Sequence, residues 1–262
     1  MFEQTTGANA KAVLVTGATR GIGRAVVDLL VARGSQVVGV GRDWSNTEIP
    51  AGWRHNVTTV NADLLMDINW GGVVAQAVEA LGALDGLVNC AGIIEYEPLE
   101  QISAASMRRQ LQLNLQAPLM LAQHFAQHVR SRRRPASLVN VSSTLALRPI
   151  AATAVYAAAK AGLNALTKAL AIELGADRIR VNAVLPGVID TDMIRGLRSS
   201  NNSQLSTEQR AEATRQQLEG LKKAHPLGRL GKTMEIAATI LHVLDSEWMT
   251  GSLIVHDGGV LL

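Results

Sequence analysis

The feature that most constrains this chain is a short apolar run that ends in glycines and restarts as a helix. Ala12-Val-Leu-Val-Thr16 has the length and β-branched content of a buried strand. Gly17-Ala-Thr-Arg-Gly21-Ile-Gly23 follows it, and the stretch from Arg24 to Arg33 then carries apolar residues at helical spacing. Glycine admits positive φ and lets the main chain approach a ligand closely. The first turn of a helix supplies unpaired N–H groups and a favourable dipole, so the three pieces together make a cradle for a dinucleotide phosphate. The spacing is Gly-x-x-x-Gly-x-Gly rather than the commoner Gly-x-Gly-x-x-Gly. A ligand-free structural turn is the plain alternative, and the flanking strand and helix weigh against it.

The alternation continues along the chain. Strands are predicted near 12–16, 36–40, 57–61, 85–89, 136–142, 179–185 and 252–256. Helices are predicted near 21–33, 70–81, 103–130, 153–175, 207–223 and 232–245. This order implies right-handed βαβ crossovers and a parallel sheet. The expected fold is α/β: a single-domain, Rossmann-type doubly wound parallel sheet with helices on both faces, spanning 1–262. Residues 43–56 hold Pro50, Gly52 and two tryptophans without a helical stripe, so that crossover helix is expected to be short or absent. A polar insertion at about 192–225 contains the loop-like run Ser199 to Ser203. Thr207 is its expected helix cap, and Ala211, Thr214, Leu218 and Leu221 form a narrow inner stripe through Lys223. The insertion is either a structural cap or a mobile substrate lid, and its length favours the lid.

Two more strands end in small or polar residues: Leu87-Val-Asn89-Cys90-Ala91-Gly92 and Leu138-Val-Asn-Val-Ser142-Ser143. Ligands of open α/β sheets sit beyond the carboxyl ends of the strands, so all three ends can line one crevice. Downstream lies Tyr156-Ala-Ala-Ala-Lys160. Alanine favours helix, and residues four apart share a helical face. A lysine ammonium one turn from a phenol is expected to pull its pKa from about 10 towards neutrality. Such a phenol gives or takes a proton at working pH.

Taken together, Thr16-Gly17-x3-Gly21-Ile22-Gly23, Asn89-Cys-Ala-Gly92, Asn114, Ser143, Tyr156-x3-Lys160 and Pro186-Gly187-x3-Thr191 resemble the short-chain dehydrogenase/reductase family over roughly residues 11 to 259. Cys90 departs from the family, which usually has a second asparagine there. The resemblance implies a nicotinamide-dependent oxidoreductase that interconverts a ketone or aldehyde with an alcohol by hydride transfer, with tyrosine as general acid/base. It maps the catalytic residues onto Asn114, Ser143, Tyr156 and Lys160, with Ser143 preferred over Ser142 for its thirteen-residue distance to Tyr156. Ser143 and Tyr156 then meet the substrate oxygen, and Tyr156 and Lys160 lie against the nicotinamide ribose. Pro118 lacks an N–H for the carbonyl of Asn114, four residues earlier. In the family that main chain holds a water; a packing kink is the alternative. The resemblance puts Gly17, Thr19, Arg20, Gly21, Ile22 and Gly23 around the phosphates and Asp63 and Leu64 at the adenine, although Asp63 also suits a helix cap. Asn89, Ala91 and Gly92 form the wall by the adenosine ribose. Pro186, Gly187 and Ile189 offer main-chain groups to the carboxamide, and Thr191 its hydroxyl.

The second strand, Gln36-Val-Val-Gly-Val40, ends in Gly41-Arg42-Asp43. An NAD-selective site carries a carboxylate at this strand end, where it accepts from the ribose 2′-hydroxyl. Gly41 has no side chain, Arg42 can pair with a 2′-phosphate, and Arg20 can approach it from the glycine turn. The expected cofactor is NADP(H), with NAD(H) as the alternative if Asp43 takes the acceptor's place. The competing functions are an NAD(H)-dependent alcohol/diol dehydrogenase and a non-catalytic dinucleotide-binding regulator.

Hydrophobic residues make up 47% of the chain, which argues against disorder. One cysteine excludes an internal disulfide and a cysteine metal cage, and Cys90 reads as a small buried hydrophobe. No metal is expected. No run of eighteen apolar residues and no apolar signal core are found, so a cytoplasmic protein with no membrane partner is expected. The run Arg130-Ser-Arg-Arg-Arg134 reads as the cationic end of a helix stopped by Pro135 rather than as a nucleic-acid or RNA patch. The partners expected are a small-molecule carbonyl/alcohol substrate, bordered by Glu95, Tyr96, Glu97, Leu145 and Arg148, and further copies of the chain. Alanine-rich faces on the helices near 103–130 and 153–175, with the resemblance, point to a homotetramer.

Overall fold

The computed structural model describes residues 10–66, 70–195 and 206–262. Seven strands form one sheet in the order β3-β2-β1-β4-β5-β6-β7. They are β1 (Ala12–Thr16), β2 (Gln36–Gly41), β3 (Val57–Asn61), β4 (Gly86–Asn89), β5 (Ala136–Val141), β6 (Ile179–Pro186) and β7 (Leu253–His256). Every pairing is parallel. The chain winds outwards from β1 to β3 and then returns to run from β4 to β7. The switch between β1 and β4 opens a crevice at their carboxyl ends.

Side chains alternate between the two faces of the sheet. Val13 and Val15 point into a layer closed by α1 (Gly21–Ala32) and α8 (Thr233–Asp245). Leu14 points into the layer closed by α2 (Trp70–Leu81), α4 (Ala117–Arg132) and α5 (Ala154–Leu174). Both layers are apolar, and each fully buried large aliphatic side chain contributes about 1.5–3 kcal/mol.

The crossover from β2 to β3 contains a single 3₁₀ turn, Ala51–Trp53, in place of a helix. Two tryptophans cover the face instead. Trp44 and Trp53 meet edge to face with centroids 6.3 Å apart, and Trp53 Nε1 donates to Asp28 Oδ1 at 2.9 Å. The Arg24 guanidinium lies 4.2 Å over the Trp53 ring.

The helix predicted over 103–130 is divided. α3 (Ala104–Leu111) widens into a π turn, Gln112–Gln116, before α4 begins. Pro118 has no N–H for the carbonyl four residues back, and its ring crowds that carbonyl. The ladder slips by one residue here, and the Gln112 carbonyl takes the Ala117 N–H. α4 ends at Arg133, which is left-handed at φ 54°. Two arginines of the run reach neighbouring loops, and a third meets one through its main chain. Arg130 pairs with Asp177 at 2.7 Å, Arg132 donates to the Gly82 carbonyl, and Arg178 donates to the Arg133 carbonyl at 2.9 Å.

The polar insertion contributes α6 (Asp192–Arg195) and α7 (Thr207–Lys223). Ser206, not the expected Thr207, caps α7: its Oγ accepts the Gln209 N–H, and Gln209 Oε1 accepts the Ser206 N–H. Leu218 and Leu221 are half-covered, Ala211 is exposed, and α7 buries no residue fully. The predicted loop Ser199–Ser203 lies outside the described residues.

Candidate active site

A cavity of about 940 Å³ opens along the carboxyl ends of the strands. Its floor is the meeting of β1 with β4. Thr16 Oγ1 accepts the N–H groups of both Cys90 and Ala91, at 3.0 and 3.1 Å, and so binds the two strand ends together. Gly17 sits at φ 66°, and a Cβ there would stand 3.0 Å from the Ala91 main chain. A Cβ on Gly23 would stand 2.3 Å from the Gly17 carbonyl oxygen. No other residue fits at either place. The first turn of α1 holds no acidic side chain to repel an anion from its dipole. Thr19, Arg20, Gly21 and Ile22 complete this wall.

One end of the cavity is the edge of β2. Arg42 and Asp43 both line it and are exposed. Arg42 has no ion pair among the described residues. Asp43 Oδ1 accepts the Ser45 N–H at 2.8 Å, and hydrogen bonds from Ser45 hold its carboxyl below the usual carboxylate range. A Cβ on Gly41 would stand 2.3 Å from Thr19 Cγ2 and 3.2 Å from Trp44 Nε1. The strand end therefore has no room for an acidic side chain without rearrangement. Arg20 does not reach towards this edge as expected; it pairs with Asp192 of α6 at 2.9 Å. Asp63 and Leu64 line the next part of the wall, with Asp63 Oδ1 closing a turn on the Leu65 N–H at 3.0 Å.

The other end holds Ser143, Tyr156 and Lys160. Ser143 starts a 3₁₀ turn by accepting the Leu145 N–H at 3.1 Å, and its side chain hydrogen-bonds Tyr156. Ser142 turns the other way and donates to the Lys160 carbonyl at 3.3 Å. Tyr156 and Lys160 are 7% and 4% exposed. Burial pushes the tyrosine up to about 12, the Ser143 hydrogen bond opposing it. This corrects the expectation of a phenol drawn towards neutrality. Lys160 Nζ donates to the Val141 carbonyl at 2.8 Å and stands 5.7 Å from the Tyr156 ring centroid. Burial lowers the lysine itself to about 8, because the charged ammonium loses its water there.

Asn114 and Asn89 belong to the interior rather than to the cavity wall. Asn114 is fully buried, and its amide both donates to the Ile93 carbonyl at 2.8 Å and accepts the Ile93 N–H at 3.3 Å. Its Nδ2 also donates to the Gln110 carbonyl at 2.9 Å, from the widened turn back to α3. Asn89 donates to Asn140 Oδ1 at 2.9 Å, across the β4–β5 pairing, and to the Pro118 carbonyl. Ala91 and Gly92 do line the cavity. Cys90 lies beside them, half-covered, with its thiol pushed up to about 12 by desolvation. A thiol in that range is a poor nucleophile.

Pro186, Gly187, Ile189 and Thr191 form the remaining wall. A second loop holds this segment in place. Gly231 donates to the Val188 carbonyl at 3.0 Å and accepts from the Asp190 N–H at 2.9 Å. That pairing brings Thr233 and Met234, at the start of α8, to the cavity. Nothing local in the sequence marks those two residues, since they depend on a contact some forty positions away. Met193 and Ile194 of α6 also face the cavity and were not singled out beforehand.

A family described as Enoyl-(Acyl carrier protein) reductase matches residues 17–261. L-xylulose reductase of Bos taurus is 34% identical over 250 residues, covering 95% of each chain. The 3-oxoacyl-[acyl-carrier-protein] reductase of Homo sapiens is 32% identical, covering 96% of this chain and 98% of its own. Among solved structures, ligand-free Thermoplasma acidophilum aldohexose dehydrogenase superposes with a TM-score of 0.83 at 26% identity, over 97% of this chain and 94% of the other. A short chain dehydrogenase family protein from Francisella tularensis superposes with a TM-score of 0.80 at 27% identity, over 97% and 99%. With its parallel sheet, glycine turn and Ser143–Tyr156–Lys160 cluster, this chain belongs to the short-chain dehydrogenase/reductase family, whose members are oxidoreductases of CH–OH/C=O groups that use NAD(P)(H).

Proposed function

We propose that this protein is an NADP(H)-dependent reductase that interconverts a small-molecule ketone or aldehyde with its alcohol, with Tyr156 as general acid and base. The observation that carries the reading is one continuous cavity with an exposed Arg42 at one end and the buried Ser143–Tyr156 pair at the other. Its donor set fits a phosphorylated dinucleotide. The N-terminal turn of α1, with no acidic side chain, suits the pyrophosphate, and Arg42 suits a 2′-phosphate. An acidic side chain at Gly41 would first have to displace the Thr19 methyl, and Asp43 is engaged with Ser45.

When bound, the dinucleotide supplies or accepts the hydride at the carbonyl carbon. Ser143 donates a hydrogen bond to the substrate oxygen. The Tyr156 O–H passes its proton to that oxygen as the carbon is reduced and takes it back in the reverse direction. Burial keeps the phenol protonated until that moment. Lys160 stabilises the phenolate left behind and sits close enough to the cavity to reach a ribose hydroxyl. Asn114 fixes the Ile93 main chain behind the site, and Pro118 leaves its carbonyl without the usual helical donor. Asp63 and Leu64 would meet the adenine, and Pro186 to Thr191 the carboxamide.

The names of the two curated relatives favour reduction as the working direction. Steady-state kcat/KM with NADPH and with NADH, over a panel of sugars, acyl thioesters, cyclic diols and simple ketones, tests the proposal. A wild type that prefers NADH sinks the cofactor choice. A protein that binds NADPH but turns over none of the panel is a regulator. The same reading includes a homotetramer in the cytoplasm. Its support is a shallow apolar groove along Ala154, Ala157, Ala158 and Ala161 of α5, which suits close packing of a second copy. A monomer by light scattering at micromolar concentration contradicts the assembly.

A further inference from the structure

His225 lies just past the end of α7 and is 3% exposed. Both of its ring nitrogens are engaged. Nδ1 stands 2.7 Å from the Leu221 carbonyl oxygen, which can only accept, so Nδ1 carries the proton. Nε2 is therefore the acceptor, and the Val188 N–H donates to it at 3.3 Å. The two partners fix the tautomer. One belongs to the last turn of α7, the other to the segment between β6 and α6.

The surroundings leave the ring little freedom. A Cβ on Gly258 would stand 3.3 Å from His225 Cδ2, so the main chain after β7 closes over it. The neighbouring Gly187 N–H donates to the His256 carbonyl at 3.1 Å. The Val188 carbonyl is already taken by Gly231. Val188 thus has both main-chain groups tied down and does not line the cavity, while its neighbours Gly187 and Ile189 do.

We infer that His225 is a positioning residue: by accepting the Val188 N–H while donating to Leu221, it holds Gly187 and Ile189 where their main chain meets the nicotinamide and ties that position to α7. The inference rests on the reading that this segment faces the nicotinamide. Without the imidazole acceptor, a buried N–H loses its partner, and the segment has to move to find another. The adenosine end of the cavity is built from other elements and does not feel that movement.

Full-length His225→Leu and His225→Gln test this. Each is titrated with NADPH, followed by nicotinamide fluorescence, and with 2′-phospho-ADP-ribose, which keeps the adenine end and lacks the nicotinamide. Thermal melting is recorded beside both. The leucine variant should bind NADPH about tenfold more weakly, the cost of one orphaned buried donor, with fragment affinity unchanged. The glutamine variant, whose Oε1 can accept the Val188 N–H, should recover most of the loss. If the leucine variant does not fold, His225→Asn takes its place, because its shorter amide reaches Leu221 but not Val188, and the same loss is expected. Equal weakening of NADPH and fragment, no weakening of either, or a glutamine variant as weak as the leucine variant overturns the role of His225. A wild type that binds no nicotinamide dinucleotide overturns the functional reading beneath it, and the two failures are told apart by the wild-type titration alone.

Discussion

At the end of the cavity proposed for the chemistry the polar side chains are buried, Tyr156 to 7% and Lys160 to 4% exposure. At the far end Arg42 and Asp43 stand in solvent, and the buried part of that corner is uncharged: Gly41, Trp44 and the methyl of Thr19. The difference separates two ways of using the same sheet edge. Burial moves proton affinities, which chemistry needs, and it costs stability because charges lose water. The solvent end needs only recognition. On the proposed NADP(H) reading, crowding over Gly41 and a screened charge on Arg42 do that work, at small cost to the fold.

The largest expected effect tests the buried end. Tyr156→Phe keeps the ring and deletes the proton, so kcat should fall about 10²–10⁴-fold while NADPH affinity holds. Activity retained within about tenfold would remove tyrosine from its role and erase the contrast between the ends.

The cost of burial is the next target. Lys160 has its pKa lowered from 10.5 to about 8 in the folded chain. Between those values the unfolded chain still holds a proton that the folded chain has released, so stability should rise with pH. Below about 8 both states are charged, and the folded state bears the whole penalty. Urea melts from pH 8 to 10 should therefore show wild type gaining about 1–3 kcal/mol relative to Lys160→Met. Stopping at pH 10 limits the contribution of Tyr156, which works in the opposite sense above its ordinary value of 10.0 because the folded chain keeps that proton. Cys90, which does the same from 9.0, is present in both proteins and drops out of the difference to first order. Parallel pH curves for the two proteins would show that the lysine is better solvated than its burial indicates.

At the exposed end, Arg42→Ala should lower kcat/KM for NADPH about 10–100-fold and leave NADH alone. The gap should narrow as salt is added, since the charge is in water. A loss shared by both cofactors would mean that Arg42 shapes the loop instead of reading the phosphate. The smallest effect is expected between the two ends. Pro118→Ala should cost kcat a few-fold and leave melting temperature unchanged or raised, as a helical donor returns opposite Asn114. Unchanged kcat with a higher melting temperature would reduce the proline to a packing device.

The strand ends were legible because most of the apolar runs stop at or just before a glycine, asparagine or serine, and the sheet brings those stops to one edge. The seven predicted strands lie within a residue of the observed ones for that reason. The widened turn at Gln112–Gln116 was hidden, because the apolar spacing on either side of it is helical and only Pro118 hinted at a slip. Spacing also placed Tyr156 beside Lys160 correctly in the chain but could not say how deeply they are covered. It is the covering, with the Val141 carbonyl taking Nζ, that sets their proton affinities. Asn89 misled for a related reason. It occupies a strand end, yet its amide is claimed by Asn140 on the adjacent strand, a cross-strand pairing invisible from either segment alone.

The packing over Gly41 also bears on how such a chain changes over generations. An acid at this position is within easy genetic reach of glycine, yet it would arrive 2.3 Å from the Thr19 methyl. An acid here therefore requires the Thr19 methyl to swing aside and the Trp44 indole, 3.2 Å from the same point, to yield slightly. Trp44 also fills the space over Gly39 and donates to the Val60 carbonyl at 3.1 Å, so displacing it loosens the edge of the sheet. On the proposed cofactor reading, the order of change then matters: a smaller residue at 19 that comes first clears room for an acid at 41, whereas the acid coming first has to force that room open.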